Sequence, residues 1–189
     1  YFDSPNIPQA ELERLLRAKA VLMSGVKVTL SNEKTGQTQT WLYQDGLQGY
    51  LRENLEQDAL IPLFSGSSFA GANDEQFAEG EGAEWVIAWT REGGLLRESY
   101  VNLISTPAGG SHEAGVREGV FGAVKSFIEL HALLPKGVKL ISDDVFSRAS
   151  FVLSTKVLDP QFQGQTKERL NNRDAVKLVA QATRPALEL

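Results

Sequence analysis

Apolar residues open the chain at helical spacing. Leu12, Leu15, Leu16, Leu22 and Met23 recur with a 3.6-residue period, Pro8 suits a first turn, and Gly25 falls just past the end. A helix is predicted over residues 8–23. From Val26 the period shortens to two: Val26, Val28 and Leu30 share one face, Asn32 to Gly36 is turn material, and Thr38 to Tyr43 is a second extended run. This pattern predicts a β-hairpin. Gly46 to Asn54 suits a short helix, and residues 56–83 then carry only isolated apolar positions among Gly, Ser, Ala and acidic residues. That stretch is expected to be a long loop joining two domains, or an irregular excursion with Leu60 to Phe64 tucked down, and a boundary is placed near residue 50.

Beyond it, Glu84 to Thr90 and Leu95 to Ile104 are rich in β-branched and aromatic residues and read as a second hairpin joined through Glu92-Gly93-Gly94. A long helix follows the loop Thr106 to Gly110. Its apolar arc holds Val116, Val120, Ala123, Phe127, Ile128 and His131, so His131 is expected to be a partly buried core residue. Gly115, Gly119, Gly122 and Ser126 fall within about 60° of one another on a second face. Each glycine costs a helix about 1 kcal/mol relative to alanine, so this smooth face is expected to receive another backbone at close range. Asp143 to Arg148 suits a short helix capped by Ser142, Phe151 to Leu158 a strand, and Asn172 onward a last helix. Strands alternate with helices in this half, which predicts an α/β two-layer sandwich with helices on one side of the sheet.

Composition narrows the function classes. The runs Ala20 to Met23 and Trp85 to Trp89 are far too short to span a bilayer, and no signal-peptide pattern opens the sequence. With no cysteine, and with His112 and His131 19 positions apart, neither a disulfide framework nor a structural metal is expected. A cytoplasmic protein is the simplest expectation. The net charge of −5 argues against coating nucleic acid by bulk electrostatics, but the balance is uneven. Residues 1–112 hold 8 basic and 15 acidic side chains, whereas residues 113–189 hold 11 basic and 9 acidic, so phosphate contacts belong in the C-terminal part.

No phosphate loop, nucleophile elbow, zinc-protease pair or dinucleotide fingerprint occurs, so the chain offers no self-contained active site. Asp143-Asp144 after Ser142 reads as a helix N-terminus and not as a metal site. His112, beside Gly109-Gly110-Ser111 at the mouth of the long helix, leaves two readings open: a backbone nest for an anion, or a hydrogen bond that fixes the loop. The remaining candidate is the polar loop Asp159 to Leu170. Gly164 gives it backbone freedom and the Lys167 ammonium is a point charge suited to a phosphate.

Gln165-Thr166-Lys167, inside D-P-x-F-x-x-Q-T-K, resembles the QTK loop of the ATPase subunits of bacterial type IIA topoisomerases. Tyr1 to Pro5, Leu16 to Gly25, Tyr43 to Leu47, Glu98 to Ile104, Gly109 to His112 and Leu134 to Leu140 resemble the same family, topoisomerase IV more closely than gyrase. Ser111 stands where the family usually has Thr, a change that keeps the hydroxyl. The chain has no initiator Met and reads as a cut segment. The resemblance implies that residues 1–50 end a GHKL-type ATP-binding domain and that residues 51–189 form the transducer. It implies a fold like domain 2 of a ribosomal protein, α/β (α+β), with a left-handed βαβ crossover, an exception to the usual hand.

The resemblance further implies that Lys167 and Gln165 contact the ATP γ-phosphate, with Thr166, Gly109, Gly110 and His112 supporting the loop. Arg117, Lys125, Lys136, Lys139 and Arg148 become candidates to line a DNA cavity. ATP and Mg2+ are implied for the full-length subunit and neither for this segment alone, which is expected to be inactive. The implied partners are the topoisomerase A subunit in a heterotetramer, a second copy of the subunit and duplex DNA, with no membrane and a nucleoid-associated location. Two alternatives are the middle domain of a mismatch-repair-type ATPase and a stand-alone nucleic-acid-binding module.

Overall fold

The computed structural model describes residues 6–92 and 94–189, so the Tyr1 to Pro5 resemblance and Gly93 lie outside the described residues. Chain contacts divide it into two compact units, residues 1–53 and 54–189. In the first, helix α1 (Gln9–Leu22) is preceded by Pro8, and Gly25 turns the chain at φ +79°. Strands β1 (Val28–Ser31) and β2 (Thr38–Trp41) pair antiparallel, with Val28 opposite Trp41, as the two-residue period predicts. The Asn32 carboxamide accepts from the amides of Lys34 and Thr35 and so builds the turn between them. Helix α2 spans Gly46–Asn54.

The second unit is a five-stranded sheet with helices on one face. Its strands are β3 (Phe64–Phe69), β4 (Gly82–Trp89), β5 (Arg97–Val101), β6 (Ile104–Ser105) and β7 (Ala149–Lys156), in the order β3-β4-β7-β5-β6. Two expectations are corrected here. First, β4 and β5 form no hairpin, because β7 lies between them, antiparallel to β4 and parallel to β5. The cause is burial: seven of the eight residues of β7 are buried, with Phe151, Val152 and Leu153 at its middle, and such a strand gains most at the centre of the sheet. A parallel pair needs a long crossover, and helix α3 (Ser111–Leu130) supplies it.

Second, residues 56–83 are not simply a loop. The Ser- and Gly-rich β3 pairs along β4 as an edge strand, and the Gly66 backbone passes under the Trp85 ring, where an added Cβ would sit 3.0 Å from a ring carbon. An edge strand buries little, so no apolar alternation announces it.

The main core lies between sheet and helices. Trp85 and Ile87 of β4 and Phe151 and Leu153 of β7 meet Val116 and Val120 of α3, Phe146 of helix α4 (Ser142–Phe146) and Val179 of helix α5 (Asp174–Leu187). The indoles of Trp85 and Trp89 donate to Ala182 O at 3.0 Å and Val145 O at 2.7 Å, so β4 is pinned to α5 and α4.

The smooth face of α3 does receive a backbone. A Cβ on Gly115 would stand 2.6 Å from Val176 O, and one on Gly119 would run into the Thr183 hydroxyl and the Ala180 backbone. Further along, the Ser126 hydroxyl accepts from Arg184 at 3.1 Å. Two smaller expectations fail. Ser142 lies inside α4, whose first turn is held by Asp144 accepting from the Ile141 amide at 2.8 Å. His131 is exposed and stacks on Phe127 with ring centres 4.4 Å apart, because the long helix runs past the sheet it covers and leaves its last turn in water.

Candidate functional site

The QTK loop leaves β7 and returns to α5, and its two legs are tied to each other. Phe162 and Leu170 form an isolated antiparallel bridge, Gln163 N–H donates to Arg169 O at 2.8 Å, and Asn171 N–H donates to Gln161 O at 2.7 Å. Above that neck Gln165, Thr166 and Lys167 are exposed, and Lys167 makes no hydrogen bond or ion pair among the described residues. Gly164 takes φ +79° and Lys167 itself φ +58°, a left-handed conformation that costs a non-glycine residue about 1–2 kcal/mol. The loop therefore presents a free ammonium at the tip of an anchored hairpin.

Its return leg runs parallel to the glycine loop singled out in sequence. Ala108 N–H donates to Glu168 O, Leu170 N–H to Gly109 O at 3.1 Å, and Ser111 N–H to Leu170 O at 3.1 Å. Gly110 at φ +137° makes this approach possible, since a side chain there would overlap the Leu170 backbone. Arg169 adds a guanidinium bond to Ala108 O at 3.1 Å. Gly109, Gly110 and the QTK loop, far apart in sequence, are thus one structure.

Below the glycine loop lies a buried polar network. His112 Nε2 is 2.8 Å from Thr106 Oγ1, which also donates to Ser99 O at 2.9 Å, while Ser99 Oγ donates to Glu113 Oε1 at 2.6 Å. With the Thr106 proton on Ser99 O, the network assigns the donor proton of His112 to Nε2 and leaves Nδ1 buried without a partner. His112 is fully buried, and desolvation lowers its pKa from 6.5 to about 4, so it is neutral at pH 7. The bond to Thr106 holds the His112 ring beside the glycine loop. Ser99, Thr106, Glu113 and Leu170 were not anticipated; only Leu170 and Thr106 carried a hint, flanking the two loops.

Among the described residues, the basic side chains proposed to meet DNA are not drawn into one cluster by a shared partner. Arg117 lies over the Phe146 ring at 5.0 Å, Lys125 pairs with Glu129 at 3.8 Å, and Lys136, Lys139 and Arg148 are exposed. Asp143 and Asp144 serve the first turn of α4.

The sequence model of the family described as DNA gyrase B matches residues 46–189. The chain belongs to the DNA gyrase B family. Within it, the topoisomerase 4 B subunits of Salmonella typhimurium and Escherichia coli K12 are each 43% identical over the whole chain. The chain spans only 29% of the length of these relatives. The topoisomerase IV ATP-binding domain of Francisella tularensis, solved with a small-molecule inhibitor, matches the whole chain at 34% identity with a TM-score of 0.78, over 49% of that structure. The 43K ATPase domain of Thermus thermophilus gyrase B, solved with an aminocoumarin, shares the fold at a TM-score of 0.82 and 22% identity, over 99% of this chain and 49% of that one. This gyrase B family chain is thus a segment-length match to the B subunit of topoisomerase IV, and the mixed α/β fold is common to both structures.

Proposed function

We propose that this chain is the coupling segment of a topoisomerase IV B subunit, in which Lys167 reads the γ-phosphate of ATP. The observation that carries the reading is the exposed, unpaired Lys167 on a loop tied at its base to the glycine loop and sheet. On this reading residues 1–50 complete the GHKL-type ATP-binding domain, and residues 51–189 are the transducer, whose β5–α3–β7 crossover is left-handed. The rest of the ATP site, with Mg2+, belongs to the upstream domain, so the segment alone has no turnover.

Gln165 stands beside Lys167 at the phosphate, and Thr166, Gly109, Gly110 and His112 hold the loop's shape. The γ-phosphate carries the charge that attracts the ammonium, and its loss on hydrolysis releases the loop. A charge-assisted hydrogen bond is worth about 1.5–3 kcal/mol, enough to bias the orientation of two domains roughly 10- to 100-fold. ATP binding thereby favours one rigid arrangement, which closes a dimer of B subunits around a DNA duplex while the A subunits of the heterotetramer hold the cleaved strand. Lys125, Lys136, Lys139 and Arg148, with Arg117 beside them, offer positive charge to that duplex. The subunit is a cytoplasmic, nucleoid-associated type II topoisomerase serving decatenation, relaxation and chromosome segregation.

The test is Lys167→Ala in the full-length subunit assembled with its A subunit. ATP hydrolysis and decatenation are expected to fall roughly 10²-fold while the protein stays folded. Both activities unchanged within about twofold, on the same free-energy scale, would reject the reading.

A further inference from the structure

The glycine loop holds only the return leg of the QTK loop. The leg that leaves the sheet is held by a different device. Strand β5 stops pairing with β7 at Val101 opposite Thr155, yet the register continues for another step through a side chain. Asn102 N–H donates to Thr155 O at 2.9 Å, after which the Asn102 carboxamide takes the place of a peptide group. Its Oδ1 accepts from Val157 N–H at 3.0 Å and its Nδ2 donates to Val157 O at 2.8 Å. Asn102 sits at φ +48°, a conformation asparagine tolerates better than most residues. One residue further, Leu158 N–H donates to Glu81 Oε1 at 2.8 Å, and Glu81 Oε2 is itself fixed by the Ala78 amide at 3.0 Å.

At the neck, Asn172 repeats the device. Its Oδ1 accepts from Gln161 N–H at 2.6 Å and its Nδ2 donates to Asp159 O at 3.0 Å, so one carboxamide spans the backbone of the outgoing leg from its place on the return leg. All of these bonds lie within the unit of residues 54–189. Above them the outgoing leg is held by the backbone bond from Gln163 N–H to Arg169 O at 2.8 Å, just below the tip.

We propose that Asn102 and Asn172 are positioning residues for Lys167: two side-chain carboxamides that carry the register of the sheet into the outgoing leg of the loop. The inference rests on the functional reading given above. A carboxamide suits the task because it supplies one donor and one acceptor in the spacing of a peptide, and no other uncharged side chain except glutamine does so. Neither residue touches nucleotide on this account. Their effect is exerted wholly through the ammonium, which makes the account testable by coupling.

The experiment is a double-mutant cycle on the full-length subunit, reading the affinity of a non-hydrolysable ATP analogue relative to ADP. Asn102→Gly keeps the left-handed backbone and removes the carboxamide; Asn172→Ala is a second, independent variant on the other leg. Asn102 is exposed and Asn172 half-buried, and neither belongs to the apolar core, so loss of fold is not the expected outcome. Each is expected to reduce the preference for the analogue about fivefold in the native background, and less than about 1.5-fold once Lys167 is Ala, the signature of residues acting through one group. Equal reductions in both backgrounds, or no reduction in either, would overturn the clamp while leaving the functional reading intact. A Lys167→Ala protein that keeps the full preference for the analogue would instead remove the functional reading, and the clamp with it.

Discussion

Two seams in this protein are paved with glycine, and they do different work. Along the α3–α5 seam, Gly115 and Gly119 let two helices approach until backbone meets backbone, and the Thr183 hydroxyl at that approach bonds back to Val179 O. Along the loop seam, Gly109 and Gly110 let an irregular segment lie against Leu170, and backbone hydrogen bonds run along the contact. The first seam has no exposed product; it fixes the helical layer on the sheet. The second ends in an exposed lysine held above an anchored base. Glycine in a helix therefore reads here as packing, and glycine at positive φ beside a helix mouth reads as the place where a loop is tied down.

Mutation can separate the seams. Gly115→Val should be the most damaging single change: its side chain meets Val176 O and Val179 Cβ, neither of which can move without shifting α5. A loss of about 3 kcal/mol in the denaturant unfolding of the 189-residue chain is expected, despite the better helix propensity of valine than of glycine.

The network under the loop seam responds to acid to a similar extent. Because the His112 pKa is about 4 folded and about 6.5 unfolded, the unfolded chain binds the extra proton between those values. Stability from this group is complete above pH 6.5 and drains away as pH falls towards 4, by about 3 kcal/mol in all. Unfolding curves at pH 7 and pH 4.5 should differ accordingly, and His112→Asn should flatten the difference.

Gly110→Ala comes next, at about 2 kcal/mol, since it combines an unfavourable φ with overlap on Leu170. Unlike Gly115→Val it should also depress ATP turnover of the full-length subunit. Ser126→Ala, which removes one exposed bond to Arg184 at the open end of the helix seam, should cost no more than about 0.5 kcal/mol and leave turnover alone.

Much of this was legible in the chain itself. The helical period over residues 8–23, the two-residue period after Val26 and the glycine spacing of α3 each depend on local geometry, and each appears in the fold within a residue or two. What did not show was pairing between distant strands. Nothing local says that β7 enters between β4 and β5, because adjacency in a sheet is decided by which strand gains most from burial on both faces. The edge strand β3 was hidden for the opposite reason, burying too little to need apolar alternation. At the site, Lys167 and the glycines stood out as residue types, whereas Asn102, Asn172 and Ser99 are ordinary polar residues whose roles exist only once the fold brings their partners to them.

The most direct test of the coupling account is hydrogen exchange of the amides of residues 164–168 in the full-length subunit, saturated in turn with a non-hydrolysable ATP analogue and with ADP. The analogue is expected to slow exchange in this loop by about tenfold or more, while ADP leaves it near the nucleotide-free rate. Equal exchange in the two complexes would mean that the γ-phosphate does not hold the loop, and would contradict the account.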